Sequence, residues 1–416
     1  MKNIFFLIFL LTLISCKKNN QNLVDLDYFV NQGEKIKLDV DQNFNSKEIS
    51  FINKIQEQEY FAYKTWNQKN QNSNNFIQAI SFKLNKRKDR VTKNLQEFIF
   101  YNNSIITIDE KSEVAIYDLN FKKIKSKKIY KRKIYKNYKL KHSILAYNNK
   151  LYVSNNLGNV LCIEIKTLQI LWEKKFGVPF KSQIKIYKEN LYLINSNSKI
   201  FSINVKNGNL NWSFETSSKY LKDDKSYQLA VFNNKLFFTN DNSEIYCIDL
   251  NSQRIIWSLS FGNKNFSNAP LIFKASPITI DNNGELFVST NNGFTYTLSL
   301  DNGKIKWATP IYSLNRFSLT KKYLINTNQD KIFVINKKNG NILLNKKINN
   351  KKNFFFKDLV IARKNIYLFD TNGYLISISK KNLNNISIQK NFNKYSDLIF
   401  YKNALYINTS YSIEKF

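Results

Sequence analysis

The chain is short of the residues that most folds use as punctuation and as chemistry. With only 4 prolines and 10 glycines in 416 residues, its turns must be made by other residues. Asparagine and aspartate take that part, since both tolerate left-handed backbone. Three cysteines cannot build the dense disulfide framework of a small secreted domain. A single histidine, His142, cannot supply a histidine-rich metal centre. Acidic residues are scarce, 31 Asp+Glu against 64 Lys+Arg, so the net charge is +33. The one long hydrophobic run, at 4–13, is too short to span a bilayer.

What is present is repetition. Residues 283–307, NGELFVSTNNGFTYTLSLDNGKIKW, read as three strands separated by turns at Asn291-Asn292-Gly293 and Asp301-Asn302-Gly303. In the middle strand Phe294, Tyr296, Leu298 and Leu300 share one face and Thr295, Thr297 and Ser299 the other, the period of two that marks a β-strand. Such a meander cannot bury its own faces and needs copies of itself as neighbours. Similar strand-turn-strand units recur at 103–119, 149–165, 189–205, 234–250, 284–300, 321–337 and 364–380, with a shortened eighth at 403–416. Most are followed by a strand carrying a bulky apolar residue: Trp172, Trp212, Trp257, Trp307 or Leu344. A period of 40–50 residues with about four strands per unit predicts an all-β fold, an eight-bladed β-propeller of four-stranded antiparallel blades.

The eighth copy ends at Phe416 without a tryptophan strand, while 59–68 (EYFAYKTWNQ) holds Trp66 with no core before it. The expectation is that this N-terminal strand completes the last blade, so that closure removes an exposed edge. The domain reading is therefore 1–15 as leader, 16–58 as a tether and unassigned segment, and 59–416 as the propeller.

The N-terminus has a basic start, the apolar run and then Leu13-Ile14-Ser15-Cys16, as in a secretory signal. A small residue before cysteine at that place resembles the lipobox of bacterial lipoproteins. The resemblance implies lipidation of Cys16 and, with Lys17 rather than aspartate following, attachment to the outer membrane on its periplasmic face. Cys162 and Cys247 occupy the same register in their repeats and read as two buried small side chains, too far apart for a bridge.

No catalytic constellation is found. His142 reads as an incidental, exposed histidine in a lysine-rich linker. No GxSxG, HExxH, Walker A or CxxC pattern occurs. Asp39-Val40-Asp41-Gln42-Asn43 begins like a calcium loop, but Phe44 stands where glycine is needed and Ser50 where a bidentate glutamate is needed, so no metal is expected. Asp223-Asp224 lies among lysines and reads as solvated loop, and Asp249 and Asp301 as turn residues. The densest charge is at 122–141, KKIKSKKIYKRKIYKNYKLK. Behind an export signal it points to anionic headgroups or an acidic protein surface rather than nucleic acid, or to a basic solvated hairpin.

The Asn/Asp-Gly turn followed within five residues by tryptophan (Asn207-Gly208 to Trp212, Asn302-Gly303 to Trp307) is similar to the PQQ-type propeller repeat. Two branches carry that repeat, quinone-dependent dehydrogenases and the BamB lipoproteins of the β-barrel assembly machinery. Lipobox, short tether and eight units make the whole chain resemble the second branch. That resemblance implies a non-catalytic scaffold without cofactor, docked on the barrel-inserting (BamA-like) subunit and helping present unfolded outer-membrane proteins. It places the docking surface in the loops at 217–226 and 262–277, with Leu221 and Lys222 as an apolar-plus-basic anchor pair. The second loop departs from the family's acidic cluster and offers Phe273 and Lys274 instead. The alternatives are a periplasmic lipoprotein scaffold for another partner, or a PQQ-dependent dehydrogenase. The latter would need carboxylate and amide calcium ligands, a catalytic aspartate and often an adjacent cysteine pair, and no Cys-Cys occurs.

Overall fold

The computed structural model describes residues 48–416 except 57–58, 83, 85–88, 93–94, 131–139, 218–226, 262–272, 349–352 and 410–411, and only the backbone of Asp89–Thr92. The described residues all belong to one compact unit, Asn43–Phe416. They form eight antiparallel sheets. In blade 1 the strands run outward from the axis as Leu95–Tyr101, Ser104–Asp109, Glu113–Tyr117 and Lys123–Lys128. Blades 2 to 7 repeat the order, from innermost strands His142–Tyr147, Lys185–Tyr187, Leu229–Phe232, Thr279–Ile280, Ser318–Leu319 and Phe356–Ile361 to outermost strands Ile170–Lys175, Leu210–Glu215, Ile255–Ser260, Ile305–Thr309, Ile342–Lys347 and Ile386–Lys390. The repeats seen in the sequence are the second and third strands of each blade.

Because the strands alternate in direction, the links between blades and the turns joining second to third strands lie at one end of the propeller, called here the loop face. Two N-terminal pieces join the ring from outside this order. Asp89–Thr92 pairs antiparallel with Ser412–Lys415 and is the outermost strand of blade 8. Ile49–Ser50 adds a fifth strand to blade 6 by pairing with Asn345 and Leu344. The ring is thus closed by an N-terminal strand, but by 89–92 and not by 59–68. Trp66 resembles a rim tryptophan in sequence and stands elsewhere in space.

The rim tryptophans interlock consecutive blades. Trp172, Trp257 and Trp307 each donate the indole N–H to a carbonyl of the next blade, Val205, Leu300 and Lys337, at 3.1, 2.9 and 3.0 Å. Each ring lies flat on a glycine of that blade's last turn. A Cβ built on Gly208, Gly303 or Gly340 would stand 2.6, 2.5 and 2.8 Å from the indole, and all three have positive φ. The Asn/Asp-Gly turn is therefore both a reversal and a platform. Trp212 meets a turn in which Gln253, at φ 60°, holds that position, and this indole stays half-buried. Gly303→Ala, combining left-handed strain with overpacking, is expected to destabilise the propeller by about 2–5 kcal/mol. Gly177→Ala, with φ +73° and nothing within 4 Å, should cost only about 1–2 kcal/mol. Urea melts of the two variants check the difference.

Between blades the core is aliphatic and aromatic. Cys162 and Cys247 are fully buried, unpaired and protonated, burial pushing both thiols up, Cys162 to about 11 and Cys247 to about 12.

Candidate functional site: the filled channel and the loop face

The innermost strands of a propeller present a row of backbone N–H and C=O groups to the axis, and without partners these must be hydrated. Here the chain's own segment 59–82 fills that place. It circles the axis once and meets the blades in turn. The C=O of Tyr63 accepts from Lys402 N–H of blade 8 at 2.9 Å. Trp66 exchanges both backbone hydrogen bonds with Phe100 of blade 1, at 3.2 and 2.9 Å. Asn67 pairs with Ala146 of blade 2, its C=O accepting and its side-chain amide donating, both at 2.8 Å. Ser73 donates its hydroxyl to Ile186 C=O of blade 3 and accepts from Val231 N–H of blade 4, each at 2.8 Å. Asn74 brackets Ile280 of blade 5, accepting its N–H at 3.0 Å and donating to its C=O at 2.7 Å. Phe76 packs on the cluster containing Phe317 and Leu319 of blade 6. Ile80 donates to Ile361 of blade 7 at 2.7 Å, and Phe82 lies against Tyr367 and Phe400 of blades 7 and 8. The loop closes on itself where Phe61 bonds Ala79 and Ser81, each at 2.9 Å.

This belt explains the composition of 67–75, NQKNQNSNN. Asparagine carries both a donor and an acceptor and can match an edge strand's alternating groups, and Asn70 and Asn75 also take the positive φ that tight turning requires.

One cation fastens the belt from below. Lys185, on the inner strand of blade 3 and 1% exposed, donates its ammonium to the carbonyls of Lys69 and Asn72 at 3.0 and 2.8 Å. Burial, with the like charge of Lys69, pushes Lys185 down to about 7. Lys69 goes the other way. Burial would lower it, but the carboxylates of Asp397, Glu97 and Asp358 outweigh that and hold it above its ordinary value, and it forms an ion pair with Asp397. Burial pushes Glu97 up to about 7, against the opposing pull of Lys69 and the Ile144 N–H that it accepts at 2.9 Å.

A depressed lysine binds fewer protons folded than unfolded between its two pKa values, so stability should rise with pH from about 7 upward. The window closes near pH 8.5, where cysteines and then tyrosines of the unfolded chain begin to ionise and oppose the trend. Across it the rise should be about 1–2 kcal/mol, and Lys185→Met should flatten most of it. Thermal melts at several pH values read the slope independently of any offset caused by the substitution.

On the loop face, above the belt, a funnel of about 330 Å³ is lined by Lys69, Asn75, Gln228, Arg316, Asp358 and Asp397. Four of its charges pair off, Lys69 with Asp397 and Arg316 at 3.7 Å from Asp358, which also accepts the Tyr395 hydroxyl at 3.1 Å, and Lys357 lines it too. A neighbouring cleft of about 430 Å³ between blades 2 and 3 includes Glu97, His142, Asn155, Phe180 and Ser182. His142 is not an exposed linker residue. It opens the inner strand of blade 2, is buried, and is held by Gln96 Oε1 at 2.8 Å and Ser112 Oγ at 3.0 Å. Burial lowers its pKa to about 4, so the ring is neutral. Among the described residues no group of three or more His, Cys, Asp or Glu is placed to hold a metal.

Of the predicted docking loops, 218–226 and 262–272 lie outside the described residues; Pro277 of the second, and Tyr227-Gln228, which follow the first, line the funnel. Leu221, Lys222 and the Asp223-Asp224 pair lie outside the described residues. Phe273 stacks on Phe261 with ring centres 6.1 Å apart. Lys274 is tied to Asn291 by two backbone-anchored hydrogen bonds of 2.9 Å. The Phe273 ring and the Lys274 backbone thus hold the base of their loop. Of the basic stretch 122–141, the described residues 122–130 and 140–141 include the outer strand Lys123–Lys128 of blade 1, and 131–139 lie outside them. Cys16 lies outside the described residues. The belt was missed in the sequence, although nine consecutive polar residues at 67–75, in a chain whose other turns are short, were a visible signal.

The sequence model of the family described as outer membrane protein assembly factor BamB matches residues 111–346, more than half of the chain. The chain belongs to the BamB family. No curated protein matches it by sequence. Among solved structures, BamB from Moraxella catarrhalis is similar over 80% of this chain and 99% of its own, with 12% identity and a TM-score of 0.63. The computationally designed protein Ika8 matches 79% of this chain and 98% of its own, at 10% identity and TM-score 0.60. A europium-containing methanol dehydrogenase matches 83% of this chain and 89% of its own, at 10% identity and TM-score 0.59. At such identities these likenesses speak to the propeller fold alone. It is the sequence match that makes this a BamB-type PQQ-repeat propeller.

Proposed function

We propose that the protein is a non-catalytic scaffold lipoprotein of the outer-membrane β-barrel assembly machinery. Lipid on Cys16 would hold it at the periplasmic face of the outer membrane. The loop face would dock on the barrel-inserting subunit, and the docked propeller would help present unfolded outer-membrane proteins to it. Leu221 and Lys222 are assigned direct contact with that subunit, and Phe273 and Lys274 the orientation of the neighbouring loop. The observation that carries the reading is the belt. It occupies the axis with the chain's own hydrogen-bonded backbone and leaves the outer surfaces for recognition, among them the loop face, where Tyr227, Gln228 and Pro277 beside the expected docking loops line the funnel.

The test is affinity capture of the lipidated protein from detergent-solubilised envelope, with a crosslinker at position 221. Recovery of the barrel-inserting subunit, lost in Leu221→Asp, supports the function and the loop assignment. Recovery that ignores the substitution keeps the function and moves the contact. Capture without any barrel-assembly component overturns the proposal and favours a scaffold for another partner.

The likeness to methanol dehydrogenase raises a second reading, a quinoprotein. Belt residues Trp66 and Asn75, 2% and 1% exposed, stand on the axis and leave a polar funnel whose carboxylates, Asp358 and Asp397, are already paired. A quinone absorbance band retained through gel filtration would restore that reading.

A further inference from the structure

The charge of the protein is not spread evenly around its rim. The outer strand of blade 1, KIKSKK, carries Lys123, Lys125, Lys127 and Lys128 with no acidic residue, and Lys122 precedes it. The adjoining outer strand of blade 2, ILWEKK, adds Lys174 and Lys175. The outer strands of blades 3 and 4, LNWSFE and IIWSLS, have no lysine at all. On blade 5 the one lysine, Lys306, lies 3.8 Å from Glu285. On blade 6 Lys347 is paired with Asp330 at 3.1 Å, Lys346 bonds Asn384 at 2.6 Å, and the edge is covered by Ile49–Ser50, while the outer strand of blade 7, ISIQK, has one lysine, Lys390, which lies over the Tyr374 ring. Positive charge that is exposed and little neutralised therefore gathers on one arc, blades 1 and 2. Acidic residues beside it are Glu113, 3.9 Å from Lys123, Glu173, and Asp118, which accepts the backbone N–H of Lys122 at 2.8 Å.

The same arc exposes aliphatic side chains. Ile124 stands among the lysines at 57% exposure, and Leu171 and Ile170 follow on blade 2 at 48% and 37%. Lysine is a point charge on a flexible stem, without the fork that fixes a carboxylate in one geometry. A cluster of such charges around protruding aliphatics suits a diffuse anionic layer with an apolar interior beneath it.

We propose that the rim of blades 1 and 2 is a membrane-contact surface that binds anionic phospholipid headgroups, with Ile124 and Leu171 entering the acyl boundary. The surface is separate from the loop face, so the propeller can lie against the bilayer with its docking loops still open to a partner. It needs neither the lipid anchor nor the barrel-inserting subunit, and the two proposals can fail independently.

The test uses the chain from Lys17 onward, which keeps every described residue and lacks Cys16. It is floated with phosphatidylcholine vesicles made with or without phosphatidylglycerol. Binding is expected only with phosphatidylglycerol and should fall as salt is raised. Replacing Lys122, Lys123, Lys127 and Lys128 together by glutamine should lower partitioning by roughly a hundredfold. The same number of substitutions at exposed Lys304, Lys338, Lys364 and Lys381 of blades 5 to 7 should change it by less than about threefold. Ile124→Ser with Leu171→Ser should weaken vesicle binding several-fold while leaving the far-ultraviolet spectrum and the melt unchanged. Equal loss from both lysine sets, binding without phosphatidylglycerol, or no binding at all overturns the proposal. Tighter binding to polyglutamate than to the vesicles would also overturn it, by assigning the arc to an acidic protein.

Discussion

Trp66→Ala is expected to cost about 3–5 kcal/mol, the range for removing a large buried aromatic. Trp66 is 2% exposed, meets Tyr63 edge-on with ring centres 5.4 Å apart, and sits in the apolar cluster that joins blades 7, 8 and 1. Those blades include the join between the two ends of the chain, where the ring depends on four-residue strands, Asp89–Thr92 and Ser412–Lys415. Trp212→Ala, at a half-buried rim position without a glycine platform, should cost about 1–3 kcal/mol. The comparison separates two meanings of tryptophan in this chain. If both substitutions shift the urea midpoint equally, Trp66 is only another rim residue and the belt contributes little.

The second large effect belongs to Asn75, which is 1% exposed. Its side-chain amide donates to Leu229 C=O at 2.9 Å and Ile278 C=O at 2.8 Å, while its oxygen accepts from Asn70 at 3.2 Å. Asn75→Ala leaves these partners in a closed channel without replacement. An unsatisfied buried group costs about 1–3 kcal/mol, so the loss should reach about 3–5 kcal/mol. Asn75→Asp keeps the shape but turns a donor into an anion against two carbonyl oxygens, and should be at least as damaging. A channel open to water would re-solvate both carbonyls and make the two substitutions mild. Midpoint shifts at unchanged m-value would show that stability alone has moved.

The blades were legible because their signals are local. A strand of period two, an Asn/Asp-Gly turn and a bulky residue on the following strand all fall within about 25 residues of one another, as at 283–307. The spacing from Gly303 to Trp307 was read as a motif, whereas the interlock of Gly303 with Trp257 of the preceding blade was not. The belt had no such signal. Asn74 bonds Ile280 across 206 residues, and Ser73 bonds Ile186 across 113, so its role comes from the ring and not from its neighbours in sequence. The same reason explains the misplaced closing strand. Trp66 copies the rim pattern, whereas the true closing strand, DRVT, is short and polar, as an edge strand can be. His142 looked exposed because lysines surround it in sequence, but its burial is supplied by Gln96 and Ser112 of the preceding blade. Phe273 was legible as an apolar residue of a loop, while its stacking on Phe261 was not.

The most direct test of the filled axis is hydrogen exchange at the inner-strand amides that the belt accepts from, those of Phe100, Ala146, Val231 and Ile280. The account predicts that they exchange only through large-scale unfolding, as slowly as amides in the middle strands of the blades. Exchange at the rate of water-facing edge amides in the native protein would mean an open channel and would contradict it.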